Sequence, residues 1–122
     1  MSRKDIALSF LELAVTGRAR EAYEKHAGPG FKHHNPHFDA APRALIDAMD
    51  ANARQFPKKR LDAKLSLEDG DMVAVLSHVR HTLDESGFAV VHIFRFDGDR
   101  IAELWDLAQE VPEQSPNANG MF

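Results

Sequence analysis

The chain has no cysteine, which excludes disulfides, thiolate nucleophiles and thiolate-metal sites. Redox logic therefore does not fix its compartment. It has no apolar run of about 18 residues, the minimum read as a membrane-spanning helix. Met1-Ser2-Arg3-Lys4-Asp5 leads straight into an amphipathic pattern and no signal peptide is visible, so a cytoplasmic protein is expected. Positive charge is in short supply: 15 Lys and Arg stand against 19 Asp and Glu, a formal net charge of −4. Such a chain is a poor general binder of phosphate backbones. The one basic run, Lys58-Lys59-Arg60, reads as a solvated strand entry. Neither a nucleic-acid nor a membrane partner is expected.

The 122 residues suffice for one domain with a real core and no disulfide or metal staple. Histidine is abundant, at seven, and each can change charge near neutral pH.

The first third reads as helical. Ser2 is a candidate N-cap with Asp5 in the capping-box position, followed by the stripe Ile6, Ala7, Phe10, Leu11, Leu13, Ala14. Gly17 stops this helix. A second runs from about Arg18 to His26 with Ala19, Ala22 and Tyr23 inward, and Gly28-Pro29-Gly30 breaks it. Phe31–His34 reads as a short strand entering Asn35-Pro36. Pro42 suits the first turn of a third helix, whose face is Leu45, Ile46, Met49, Ala53 and Phe56.

The remainder reads as four strands in an antiparallel meander. Leu61, Ala63, Leu65 and Leu67 alternate with polar residues. Met72–Thr82 follows, then Phe88–Phe96, which is nearly continuous in apolar residues and so central. Asp97-Gly98 signals a hairpin into Arg100–Gln109. Pro112 onward has little reason to fold. The expectation is an α+β fold of three N-terminal helices on a curved antiparallel sheet, in a single domain of residues 1–111 with a flexible tail, 112–122.

Several polar residues interrupt these apolar runs: His34 and Asn35 within Phe31–His37, then His78, His92, and Asp106 with Gln109 at the end of Trp105-Asp106-Leu107-Ala108-Gln109. Polar groups buried in strands need partners or cost roughly 1–3 kcal/mol each. Together they suggest a pocket built for proton transfer. Whether His92 and Asp106 share a face depends on the hairpin. A three-residue loop opposes His92 to Leu104 and puts Asp106 on the His92 face. A two-residue loop opposes His92 to Glu103 and separates them.

The element order resembles the nuclear transport factor 2-like superfamily, a cone-like fold. The local motifs resemble its SnoaL-like polyketide cyclase branch, and within it the group assigned aldol-type condensation. The segments that carry the resemblance are His34-Asn35-Pro36, Gly70-Asp71-Met72-Val73-Ala74-Val75 leading to His78, Val90-Val91-His92-Ile93-Phe94-Arg95, and Arg100-Ile101-Ala102-Glu103-Leu104-Trp105-Asp106 closing with Gln109. They span nearly all of residues 1–113. The resemblance implies a homodimer packed through the sheet, and it places the acid/base role on Asp106. Two positions depart from the pattern: His92 stands where an acidic residue is usual, and Leu76 where a further histidine is common.

Asp106, between Trp105 and Leu107, is expected to be partly desolvated and to act as a base beside a carbonyl. His34, His78 and His92 are the candidate donors to the resulting enolate oxygen. Tyr23, Phe10, Met49, Asn35, Phe94 and Gln109 are the candidate substrate-binding residues. The chemistry requires no metal or cofactor, and adjacent His33 and His34 point apart on a strand, against a metal reading of that cluster; His33 and His37 are expected to be exposed. Val79, Val91, Ile93 and Trp105 would form an outer apolar patch suited to association, and Arg95 is placed to pair with Glu103 across strands. The expected protein is a cofactor-independent cyclase, isomerase or lyase acting on a small carbonyl compound. The alternative is a ligand-binding or scaffolding dimer without turnover, since the superfamily includes such modules and fold alone does not settle function.

Overall fold

A computed structural model describes residues 1–122. Three helices come first or are interleaved with one strand: α1 (Arg3–Val15), α2 (Ala19–His26), β1 (Ala27–His33) and α3 (Pro42–Gln55). Four strands follow: β2 (Arg60–Asp69), β3 (Met72–Arg80), β4 (Phe88–Asp97) and β5 (Arg100–Glu110). The capping box forms as the sequence requires, with Ser2 Oγ accepting from the Asp5 N–H and Asp5 Oδ2 accepting from the Ser2 N–H. Pro42 occupies the first turn of α3, where its missing N–H costs no helical bond.

The sheet order is β1-β5-β4-β3-β2, so β4, the most continuously apolar strand, is central. The meander is antiparallel throughout, but β1 joins it parallel to β5. Gly28-Pro29-Gly30 does not separate helix from strand. It lies inside β1, where the pairing with β5 shifts register between Ala27 and Lys32. An edge strand tolerates a proline whose missing donor faces away from the ladder.

Helix α1 packs on β2 and β3, and α2 and α3 pack on β1. Between them lies a core of Phe10, Tyr23, Val73, Val75, Phe94, Phe96, Ile101 and Leu104. Phe10 meets Tyr23 and Phe94 edge-on, at centroid distances of 5.0 and 5.9 Å, a geometry favoured by the ring quadrupoles.

Cross-strand pairing fixes the faces. Val75, His92 and Asp106 are in line on the helix side, as are Val73, Phe94 and Leu104. The opposite side carries His78, Ala89 and Gln109, and Leu76, Val91 and Leu107. Val79 pairs with Leu61 and Phe88 and lines an inner recess with Leu61, Val90 and His92, so it is not part of the outer patch. Residue Lys64 is an extra residue in β2, between the pairs Ala63–Ser77 and Leu65–Leu76. It turns Leu65 and Leu67 outward to 62% and 70% exposure, where Leu107 also stands 69% exposed. The alternation of this strand is therefore broken, not continuous as its sequence suggests. No helix is long and apolar enough to cross a membrane. At the end of the chain, the Phe122 ring stacks on His78 at 4.7 Å.

Candidate active site

Between the inner sheet face and the helices is a cavity of about 430 Å³. Its apolar wall comes from Phe10 and Leu11 on α1, Leu45, Ala48 and Met49 on α3, and Leu104 on β5. Its polar atoms come from Tyr23, Asn35, Asn52, Lys59, His81, His92 and Asp106. A mainly apolar cavity with a few convergent polar groups is the usual form of a small-molecule site.

The centre of this site is a strand pair. His92 on β4 stands directly opposite Asp106 on β5. The register is neither of the two expected ones. The turn is Gly98-Asp99, closed by the Asp97–Arg100 pair, and Ala102 then bulges between the pairs Phe96–Ile101 and Arg95–Glu103. Gly98 has φ +60°, which glycine adopts without strain. The expected outcome of the three-residue alternative, a shared face for His92 and Asp106, is what the bulge produces.

Asp106 is half-buried and oriented by Asn35, whose Nδ2 donates to Oδ2 at 3.1 Å. Asn35 is itself held on both sides. Its backbone N–H donates to His33 Nδ1 at 3.2 Å, and its Oδ1 accepts from the His37 N–H at 3.0 Å. Because His33 Nδ1 accepts, its Nε2 carries the proton and donates to the Asp39 carbonyl at 2.8 Å. His33 is therefore buried at 8% exposure, contrary to the expectation of an exposed residue. His37 is exposed.

Two groups around Asp106 have no partner in the protein. His92 Nδ1 and the Tyr23 hydroxyl are both sealed from solvent and unbonded. Burial pushes the His92 pKa down to about 4, against the opposing pull of Asp106, so its ring is neutral at pH 7. Burial, reinforced by Asp106, pushes Tyr23 well above the usual phenol range, so it keeps its proton. Buried polar groups normally find partners. Two orphans in one cavity beside a carboxylate are what a site awaiting polar ligand atoms presents.

Four sequence-predicted residues are elsewhere. His78 points to the outer face, where its Nε2 meets the Ser86 carbonyl at 2.7 Å. His34 faces Glu103, with Nε2 to Oε2 at 2.5 Å, and stacks on Trp105 at 4.9 Å. It lines a second recess, of about 400 Å³, with Pro36, His37 and Leu107, on the other side of Asp106 and Asn35, which border both. Phe94 is fully buried in the core and does not reach the cavity. Gln109 is exposed and outward, level with Ala89 and His78. Phe10, Tyr23, Met49, Asn35, His92 and Asp106 do converge. Arg95 pairs with Glu103 at 3.1 Å, as expected.

Three polar lining residues escaped the sequence reading. Lys59 is not a solvated strand entry: it is half-buried, and its Nζ donates to Asn52 Oδ1 at 2.7 Å. Burial alone lowers its pKa. His81 lies edge-on to Phe56 at 4.8 Å, with Nδ1 3.2 Å from Glu85 Oε1. The signal was parity, since Lys59 is two residues before inward Leu61 and His81 two after inward Val79. Asn52 carried no signal beyond its place one turn after Met49.

The family model for the SnoaL-like domain matches residues 7–104. The chain belongs to the SnoaL-like domain family. Among curated proteins, none matches this SnoaL-like domain. Among solved structures it is similar to AclR, a proposed hydroxylase from Streptomyces galilaeus, at 19% identity and TM-score 0.73 over 88% of each chain. It is also similar to a proposed SnoaL-like polyketide cyclase from a Jannaschia species, at 16% identity and TM-score 0.70 over 88% of this chain and 85% of that one. A proposed isomerase of the SnoaL-like family from Agrobacterium tumefaciens matches at 11% identity and TM-score 0.69, over 89% and 99%. An NTF2-like protein from Cytophaga hutchinsonii matches at 14% identity and TM-score 0.67 over 89% of this chain and 91% of that one; at these identities the likeness shows the fold, nuclear transport factor 2-like, α+β with helices on a mostly antiparallel sheet.

Proposed function

We propose that this protein is a small cofactor-independent enzyme that performs acid/base chemistry on a carbonyl-containing small molecule, in an aldol cyclisation, an isomerisation or a dehydration. One observation carries the reading: a carboxylate, a neutral imidazole and a phenol hydroxyl share an apolar cavity, and the last two have no protein partner. Asp106 is the base. It takes a proton from the carbon next to the substrate carbonyl, and the electron pair moves onto the carbonyl oxygen. The His92 ring N–H and the Tyr23 O–H donate to that enolate oxygen, where apolar walls make each hydrogen bond count for more than in water. In an aldol step the enolate carbon then bonds to a second carbonyl carbon, and Asp106 returns the proton to the new alkoxide. Asn35 leaves Asp106 Oδ1 free for this work by holding Oδ2.

The assignment of similar structures as a cyclase and an isomerase supports the same class of chemistry. The outer sheet face, with Leu65, Leu67 and Leu107 exposed beside Val91, Ile93 and Trp105, supports a homodimer packed through the sheet. Sedimentation should give twice the chain mass, and Leu107→Glu should give the monomer.

The decisive experiment is turnover of a panel of small diketones by the wild type and by Asp106→Asn. The expected result is turnover that Asp106→Asn loses while fold and ligand affinity persist. Binding of the panel without turnover by the wild type overturns the enzyme reading in favour of a ligand-binding module.

A further inference from the structure

Lys59 is the one cation that lines the cavity without a counter-ion. Its ammonium has a single side-chain partner, the neutral Asn52 amide oxygen at 2.7 Å. The carboxylates around it are committed elsewhere. Asp62 is bonded to Arg60 and Arg80 at 3.2 and 3.3 Å. Glu85 is taken up by His81 and by the backbone N–H groups of His81 and Thr82. Glu12 borders a neighbouring recess with Lys59 but forms no ion pair. A half-buried charge without a partner is costly, and nothing in the fold of this region requires one. Asn52 adds a second donor at the same place: its Oδ1 is occupied by Lys59, so its Nδ2 is available to a ligand.

The position is informative. Lys59 enters β2 at one edge of the sheet, whereas Asp106 lies on β5, three strand spacings or about 14 Å across the sheet, and farther along the strands, level with Ser66 of β2. Both line the same cavity. The charge and the carboxylate therefore stand at separate parts of its wall.

We propose that Lys59 and Asn52 form a subsite for an anionic group, and that the substrate is a carbonyl compound carrying a carboxylate at the end remote from the reacting carbon. The proposal rests on the carbonyl-chemistry reading of the site. A carboxylate there accepts from the ammonium and from the Asn52 amide, and these two charge-assisted hydrogen bonds fix which carbon faces Asp106.

The test is calorimetric binding of 5-benzoylpentanoate and its methyl ester, which present at one end a carboxylate and a neutral ester one methyl larger. The wild type is expected to bind the acid roughly tenfold more tightly than the ester. Lys59→Met and Lys59→Gln should each abolish that preference by weakening the acid alone, and Lys59→Arg should keep part of it. Two variants guard against one of them unfolding, as read by thermal melting. Asp106→Asn should retain the full preference, so the result does not depend on turnover. Equal binding of acid and ester by the wild type, binding of neither, or an unchanged preference in both Lys59 variants overturns the subsite. Each of those outcomes leaves the role of Asp106 to be judged by the diketone assay.

Discussion

Asp106 faces His92 across the central strand pair because Ala102 is an extra residue in β5. The two-residue turn Gly98-Asp99, continued without a bulge, would oppose His92 to Trp105 and send Asp106 to the outer face. One added residue reverses the parity of everything beyond it. Deleting Ala102 should therefore either drive Trp105 into the cavity and Leu104 out of the core, or strain the turn. Equilibrium unfolding should show a loss of at least about 3 kcal/mol, with activity gone. Ala102→Gly, which keeps the bulge, should cost no more than about 1 kcal/mol and remain active.

Asn35 holds the carboxylate of Asp106, the proposed base, through its amide Nδ2. Asn35→Ala should lower kcat about tenfold with little change in KM, against a loss of about 10²–10⁴-fold for Asp106→Asn. Asn35→Asp is more diagnostic. It replaces the amide donor on Asp106 Oδ2 by a carboxylate, which repels the first one instead of anchoring it. In steady-state kinetics kcat should fall further in that variant than in Asn35→Ala. An equal or smaller loss counts against the anchored Asp106 carboxylate as the base.

The helices, the meander and the central place of β4 were legible because each rests on local signals: a capping box, apolar stripes, and glycine-bearing turns. The face of each histidine was not. Parity along a strand is local, but its relation to the next strand depends on register, and even-numbered His78 and His92 fall on opposite faces because Val75 pairs with His92. His34 was drawn off by Glu103 and Trp105, partners set by the parallel pairing of β1 with β5. Gly28-Pro29-Gly30 reads as a break in any local rule, and only a sheet edge beside β5 makes it a strand. Lys59 was hidden by its basic neighbours, though its spacing from Leu61 pointed inward.

Tyr23 offers a separation of stability from function. Its hydroxyl is buried and unbonded, and an unsatisfied buried hydroxyl costs about 1–3 kcal/mol. Tyr23→Phe should leave the protein as stable or about 1 kcal/mol more stable in denaturant melts, while kcat falls about 10- to 100-fold. Loss of stability in this variant would mean that the hydroxyl has a partner. Unchanged kcat would remove Tyr23 from the oxyanion site.

His92 links stability to pH with a definite sign. Its folded pKa is about 4, against 6.5 for the free side chain. Between these values the unfolded chain binds a proton that the folded chain does not, so protonation favours unfolding. Stability should be full above about pH 6.5 and fall as the pH drops toward 4, by at most about 3 kcal/mol; access of water to the cavity makes the loss smaller. His26, buried against Ser9 Oγ at 3.0 Å, is also held below its ordinary pKa by burial, with Lys25 and Arg100 adding to the shift, and contributes in the same direction. His92→Gln should therefore reduce the slope of the unfolding free energy measured between pH 4 and 6.5, leaving the part due to His26 and, toward pH 4, to carboxyls held below their ordinary pKa, such as Glu103, which accepts from His34 and Arg95. If the slope of the wild type persists undiminished in that variant, the imidazole is not the neutral, dehydrated donor that the proposed enolate site requires.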